Sequence, residues 1–141
     1  IIGQIHGKDD EPIRLYYRKL PHHSKGTLYF AHEVKGQEDD IYIPLIGDWA
    51  NDAEDPFNGI ALNERFGYVI VARGNDLEVT ILKNEIPVAR KRIGISESGY
   101  NSKDEYLYFK AGVYNQNKTG DADDYVQATF YELVNRHARP K

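Results

Sequence analysis

The chain has no cysteine, no methionine and one tryptophan among its 141 residues. Without cysteine there is no disulfide framework and no thiolate chemistry, and cysteine says nothing about compartment. No apolar run approaches the roughly 18 residues of a membrane-spanning helix. The opening residues carry no secretory signal pattern. No segment holds a helical period for more than one or two turns, and there is no internal repeat, low-complexity tract or interdomain linker. Positive charge is in deficit too. The net charge of −4 argues against nucleic acid as a partner, although a locally basic groove can still take a polyanion.

What is present is tyrosine. Eleven of them, with many breaks rich in Gly, Asn and Asp, point to an all-β chain of one domain. In the opening strand Ile2, Gln4 and His6 share one face, and Ile1, Gly3 and Ile5 the other. Ile13–Leu20 divides into Ile13, Leu15 and Tyr17 against Arg14, Tyr16 and Arg18. Strands are expected at Thr27–Val34 and at Ile41–Ile46, where Pro44 implies an edge or a bulge. Phe66–Ala72 and Leu77–Leu82 read as a hairpin turned at Gly74-Asn75. Pro87–Ile95 follows, then a polar loop over Ser96–Asp104, a strand at Tyr106–Gln116, a loop over Asn117–Asp124 and a last strand at Tyr125–Val134. About nine short strands at regular spacing predict a jelly roll or sandwich of two antiparallel sheets.

Tyr106–Gln116 organises the rest. Leu107, Phe109, Ala111 and Val113 form an apolar face, while Tyr106, Tyr108, Lys110, Gly112, Tyr114 and Gln116 form the other. A bare glycine mid-strand often marks the approach of a ligand to the backbone. Tyrosines, a cation and an amide around it suit the floor of a groove for an acidic sugar. The same pattern also fits a solvated face whose tyrosines serve β-propensity.

The segment Y-F-K-A-G-V-Y-N-Q at Tyr108–Gln116, taken with Q-I-H at Gln4–His6, resembles the alginate lyases of polysaccharide lyase family 7 and their close relatives in family 18. L-Y-Y-R, L-N-E-R-F-G-Y-V-I-V and Y-V-Q-A-T-F-Y-E-L extend the resemblance along essentially the whole chain, but over only the later part of the family's domain. It implies a β-jelly roll with a concave substrate groove and cleavage of the 4-O-glycosidic bond of a polyuronate by β-elimination. It also implies a secreted or periplasmic protein acting on alginate, with no membrane partner. Endolytic action is expected, and the Ile within Q-I-H implies acceptance of guluronate-containing or mixed blocks.

Such a reaction removes the C5 proton, α to a carboxylate, and expels the 4-O oxygen. The charge that builds on the carboxylate must be met by donors, a task for Gln4. The resemblance makes Tyr114 the acid that protonates the leaving oxygen, and the base for the epimer whose proton lies on the same side. His6 is the base for the other epimer. By strand geometry Lys110 lies about 13 Å from Tyr114 and suits the carboxylate of a neighbouring sugar, with Gly112 leaving room for the ring. Tyr108 and Gln116 line the same groove. Arg14 and Arg18 are either substrate contacts or solvated cations. Trp49 either stacks on sugar or caps a core edge.

No cofactor and no catalytic metal are expected: His22-His23 has no third ligand at a diagnostic spacing, and neither Glu38–Asp40 nor Asp121–Asp124 has the full calcium-loop signature. The family's R-x-E-L-R motif has no counterpart here. The chain is therefore expected to be a single catalytic domain lacking its first strands, with a second polypeptide or upstream segment supplying them and the carboxylate-clamping Arg. The alternatives are a non-catalytic carbohydrate-binding jelly roll and one fragment of a two-chain lyase.

Overall fold

The computed structural model describes residues 1–8, 10–100, 107–116 and 119–136. The strands are β1 (Gly3–His6), β2 (Ile13–Arg18), β3 (Lys25–His32), β4 (Ile41–Ile46), β5 (Ile60–Ala61), β6 (Gly67–Arg73), β7 (Asp76–Lys83), β8 (Ile86–Gly94) and β9 (Tyr108–Ala111). One sheet runs β4-β3-β2-β1-β9, with β5 paired to the start of β3; the other runs β6-β7-β8. All pairings are antiparallel. The chain builds most of the first sheet, crosses to make the second, and returns at β9 to lie beside β1. This is the two-sheet jelly-roll architecture that the alternation predicts. Among the described residues no helix is long and apolar enough to cross a membrane.

Period-two patterning explains the packing. Ile5, Ile13, Leu15 and Phe30 of the first sheet meet Leu77 and Val79 of the second, and Leu28, Ile46 and Ile60 meet Ile81. Phe30, Leu15, Leu28, Ile60, Leu77, Ile81 and Val79 are fully buried, each contributing about 1.5–3 kcal/mol by leaving water. Tyr68 ties the two sheets together by donating from its hydroxyl to the Ile2 carbonyl at 2.8 Å. Gly3 makes that approach possible, because a Cβ there would stand 2.9 Å from the Tyr68 oxygen.

Pro44 lies on β4, at the end of its sheet, beside a register shift where Leu28 pairs with Ile46 and Tyr29 with Pro44. Both expected devices, edge and bulge, are used. The Gly74-Asn75 hairpin is present, closed by Arg73 opposite Asp76. A second two-residue hairpin, Asn84-Glu85, joins β7 to β8 with both residues at positive φ, 50° and 66°. The sequence reads only as a break there, since Glu is not a residue that favours this turn.

Two expectations change. The strand expected over Tyr106–Gln116 is a ladder only at Tyr108–Ala111. Beyond it the chain keeps to β1 through Gly112 N to Ile2 O and Tyr114 N to Ile1 O, while Tyr106 lies outside the described residues. The strand expected over Tyr125–Val134 is not a strand: it has the alternation but no ladder among the described residues, and Tyr125, Val126, Tyr131, Leu133 and Val134 are exposed. Alternation specifies which side chains share a face, but a strand also needs a neighbouring backbone to bond. Of the loops, Ser96–Ser98 is a short 3-10 turn; 101–104 and 117–118 lie outside the described residues.

Candidate active site

The β1–β9 ladder assembles the site. Gln4 lies opposite Lys110, and His6 opposite Tyr108; Gln4 also faces Arg14 on its other side. Directly opposed residues share a face with Cα atoms about 4.5–5.5 Å apart. The rung continues from Arg14 to Ala31 and on to Tyr42. The intervening residues Ile5, Phe109, Ile13, Leu15 and Phe30 point the other way, into the core. Burying one face thus forces the polar groups of five strands onto the open face.

His6 is held on three sides. Its Nδ1 lies 2.5 Å from the Gly7 carbonyl oxygen, its ring rests 5.2 Å from that of Tyr108, and Nε2 is 3.5 Å from Glu11 Oε1. Donation from Nδ1 to Gly7 leaves the lone pair of the neutral ring on Nε2. Lys110 Nζ stands 5.9 Å from the centre of the Tyr108 ring, within reach of a cation–π attraction.

Arg14 is half-buried between carboxylates, with Glu11 at 3.9 Å and Asp40 in direct hydrogen-bond contact. Burial works against its charge, but Tyr16, Asp40, Glu33 and Glu11 together outweigh it and hold its pKa above the ordinary arginine value. Four residues further along β2, Arg18 donates to the Trp49 carbonyl at 2.5 Å and to Asp52 Oδ1 at 2.7 Å.

Tyr16 lies on the same face. Its pKa is raised by burial first, against the opposing effects of Arg14 and of a hydrogen bond from the Gln116 side chain. Gln116 is thereby placed on this face. Tyr114 is 63% exposed; two backbone bonds anchor it, Tyr114 N to Ile1 O at 3.1 Å and Ile1 N to Tyr114 O at 3.0 Å. A Cβ on Gly112 would meet nothing within 4 Å, so the space beside it is open.

Gln4, His6, Tyr108, Lys110 and Arg14 are therefore gathered by strand register, Gln116 by its bond to Tyr16, and Tyr114 by the chain continuing past β9. Sequence reasoning did not single out Glu11, Tyr29 or Tyr42, and weighed Asp40 only as part of a calcium loop. Glu11 and Asp40 sit in loops and Tyr29 and Tyr42 on other strands, so no local pattern connects them to Q-I-H. His22 and His23 both bond the Asp52 carbonyl, at 2.9 and 3.2 Å.

A family model described as alginate lyase matches residues 1–137. An alginate lyase from Klebsiella pneumoniae is 54% identical over 145 residues, spanning 97% of this chain and 47% of that protein. The crystal structure of the alginate lyase from Klebsiella pneumoniae superposes with a TM-score of 0.81 at 52% identity, over 88% of this chain and 46% of that one. The exolytic PL7 alginate lyase from Zobellia galactanivorans has a TM-score of 0.69 at 24% identity, over 82% of this chain and 51% of its own, a likeness of fold. The chain thus spans about half the length of the relatives it matches. With Q-I-H and Y-F-K-A-G-V-Y-N-Q brought side by side on adjacent strands, and the family model covering nearly every residue, this chain belongs to the alginate lyase family.

Proposed function

We propose that the protein serves as a lyase on alginate, cleaving the 4-O-glycosidic bond by β-elimination. The observation that carries this is the β1–β9 ladder, which sets Gln4 against Lys110 and His6 against Tyr108 on one open face. In the proposed step a base takes the C5 proton, the C5–H electrons form the C4=C5 double bond, the C4–O bond breaks, and Tyr114 protonates the departing oxygen. Gln4 donates to the carboxylate as its charge grows. His6, with Nδ1 committed to Gly7, offers Nε2 to the proton of the epimer presented from its side, and Glu11 steadies the resulting imidazolium. Lys110, Tyr108, Gln116, Arg14 and Arg18 contact neighbouring sugars. Endolytic action, guluronate-containing or mixed blocks and secretion belong to the same proposal.

A second polypeptide portion is also proposed to complete the sheet. Its support is the exposed Tyr125–Val134 segment, where strand alternation lacks a ladder among the described residues, together with the half-length match to the relatives.

Mixing the chain with alginate tests the proposal through the ultraviolet absorbance of the new double bond conjugated to the carboxylate. A rise alone supports elimination by this chain. A rise only after adding the complementary portion of the Klebsiella relative supports completion by a partner. Binding without absorbance in either case makes the protein a carbohydrate-binding module instead.

A further inference from the structure

The open face carries an aromatic cluster that the elimination chemistry does not use. Tyr16 and Tyr29 stack with ring centres 4.9 Å apart and planes 2° from parallel. Trp49 lies 5.6 Å from Tyr29 and 4.9 Å from Tyr42, and Tyr42 meets Tyr29 edge-on at 6.0 Å. Tyr29 is buried at the base of this group, and burial first among several causes pushes its pKa to about 12. Tyr42 is 41% exposed at its rim.

A core-edge cap would sit with Leu28 and Phe30 in the interior. Tyr29 alternates with those residues and lies on the sheet face away from them, opposite Tyr16 and next to the rung that leads from Gln4 and Arg14 through Ala31 to Tyr42. Trp49 therefore extends the open face and does not seal the core. Its loop is fixed in place by the Arg18 bond to its own carbonyl and by the Arg18–Asp52 ion pair.

We infer that Tyr42 and Trp49, backed by Tyr29 and Tyr16, form a distal subsite that stacks one pyranose ring of a polyuronate. This rests on the lyase reading for its ligand and on the aromatic geometry for its place. Aromatic faces take the apolar C–H face of a sugar at little ordering cost when the rings are already packed. The polymer's charge is tolerated because Asp40 and Asp52 are each held by an arginine and Asp48, beside Trp49, accepts from Ala50 N. Three strand spacings separate Gln4 from Tyr42, about 14 Å. A polymer lying across the strands reaches both, and a disaccharide at Gln4 does not reach the platform.

Trp49 is the sole tryptophan, so its emission reports on this place directly. The chain is titrated with alginate oligomers of increasing length while emission and double-bond absorbance are followed together. Saturable change in emission with long oligomers but not disaccharide is expected. Tyr42→Ala should weaken long-oligomer affinity about five- to tenfold, with Tyr42→Phe near wild type. Turnover with emission unchanged, and affinity unchanged in Tyr42→Ala, would overturn the subsite and leave the lyase reading standing. Emission change without turnover, both alone and with the complementary portion of the Klebsiella relative added, would keep the subsite and remove the lyase reading. Neither signal, for any oligomer and with or without that portion, overturns both.

Discussion

Gln4 on β1 lies directly opposite Lys110 on β9, joined in register although they come from opposite ends of the chain. That single pairing aligns the two motifs and sets His6 against Tyr108 two rungs away. It also continues through Arg14 and Ala31 to Tyr42, so one line of residues crosses the sheet from a cation to an aromatic platform.

Tyr114→Phe removes only the oxygen that would carry the proton. Turnover on both epimers should fall at least about a hundredfold with polymer affinity nearly intact. The initial rate of double-bond formation, beside a binding isotherm, checks this; a smaller loss takes the acid role away from Tyr114.

His6→Ala should lower turnover on guluronate-rich blocks more than on mannuronate-rich blocks, because only one epimer presents its proton to the imidazole. Rates on the two block types, compared as a ratio with wild type, decide it. Equal losses would make His6 a general contributor to the site and not the base for one epimer.

Two glycines should separate folding from binding. Gly3→Ala places a methyl 2.9 Å from the Tyr68 oxygen and should cost about 1–3 kcal/mol by overpacking the junction of the sheets. Gly112→Ala meets nothing within 4 Å, so its denaturation midpoint should hold while oligomer affinity falls. Urea titration and oligomer binding of both variants provide the comparison.

Glu85 occupies the left-handed region at φ 66° in the β7–β8 turn, where a side chain other than that of Gly, Asn or Asp is strained. Glu85→Gly should raise stability by about 0.5–1 kcal/mol. An unchanged or lowered urea midpoint would count against the strain.

His32 is buried, and burial lowers its pKa below 6.5 against the opposing charge of Asp40. The unfolded chain then takes up a proton near 6.5 that the folded chain accepts only at lower pH. Stability from this group is therefore complete above 6.5 and is lost as pH falls toward the folded value. Thermal midpoints across that window should fall more steeply in wild type than in His32→Gln. The remaining histidines are common to both proteins and drop out of the difference.

Alternation of side chains determined, from sequence alone, which residues share a face: Gln4 with His6, Arg14 with Tyr16 and Arg18, Tyr108 with Lys110. Period two is a property of any extended backbone, so it survives without knowledge of the partner strand. The all-β class, the Gly74-Asn75 hairpin and the edge position of Pro44 follow from equally local chemistry. Tertiary structure alone decided which strands are neighbours, and hence that Gln4 meets Lys110 and that Trp49 faces Tyr29 and Tyr42 on the open side. It also decided that Tyr125–Val134, as regular in pattern as any strand here, joins no ladder among the described residues. The physical reason is common to all three: pairing depends on backbone groups far apart in sequence, and a side-chain pattern carries no record of which backbone will lie alongside.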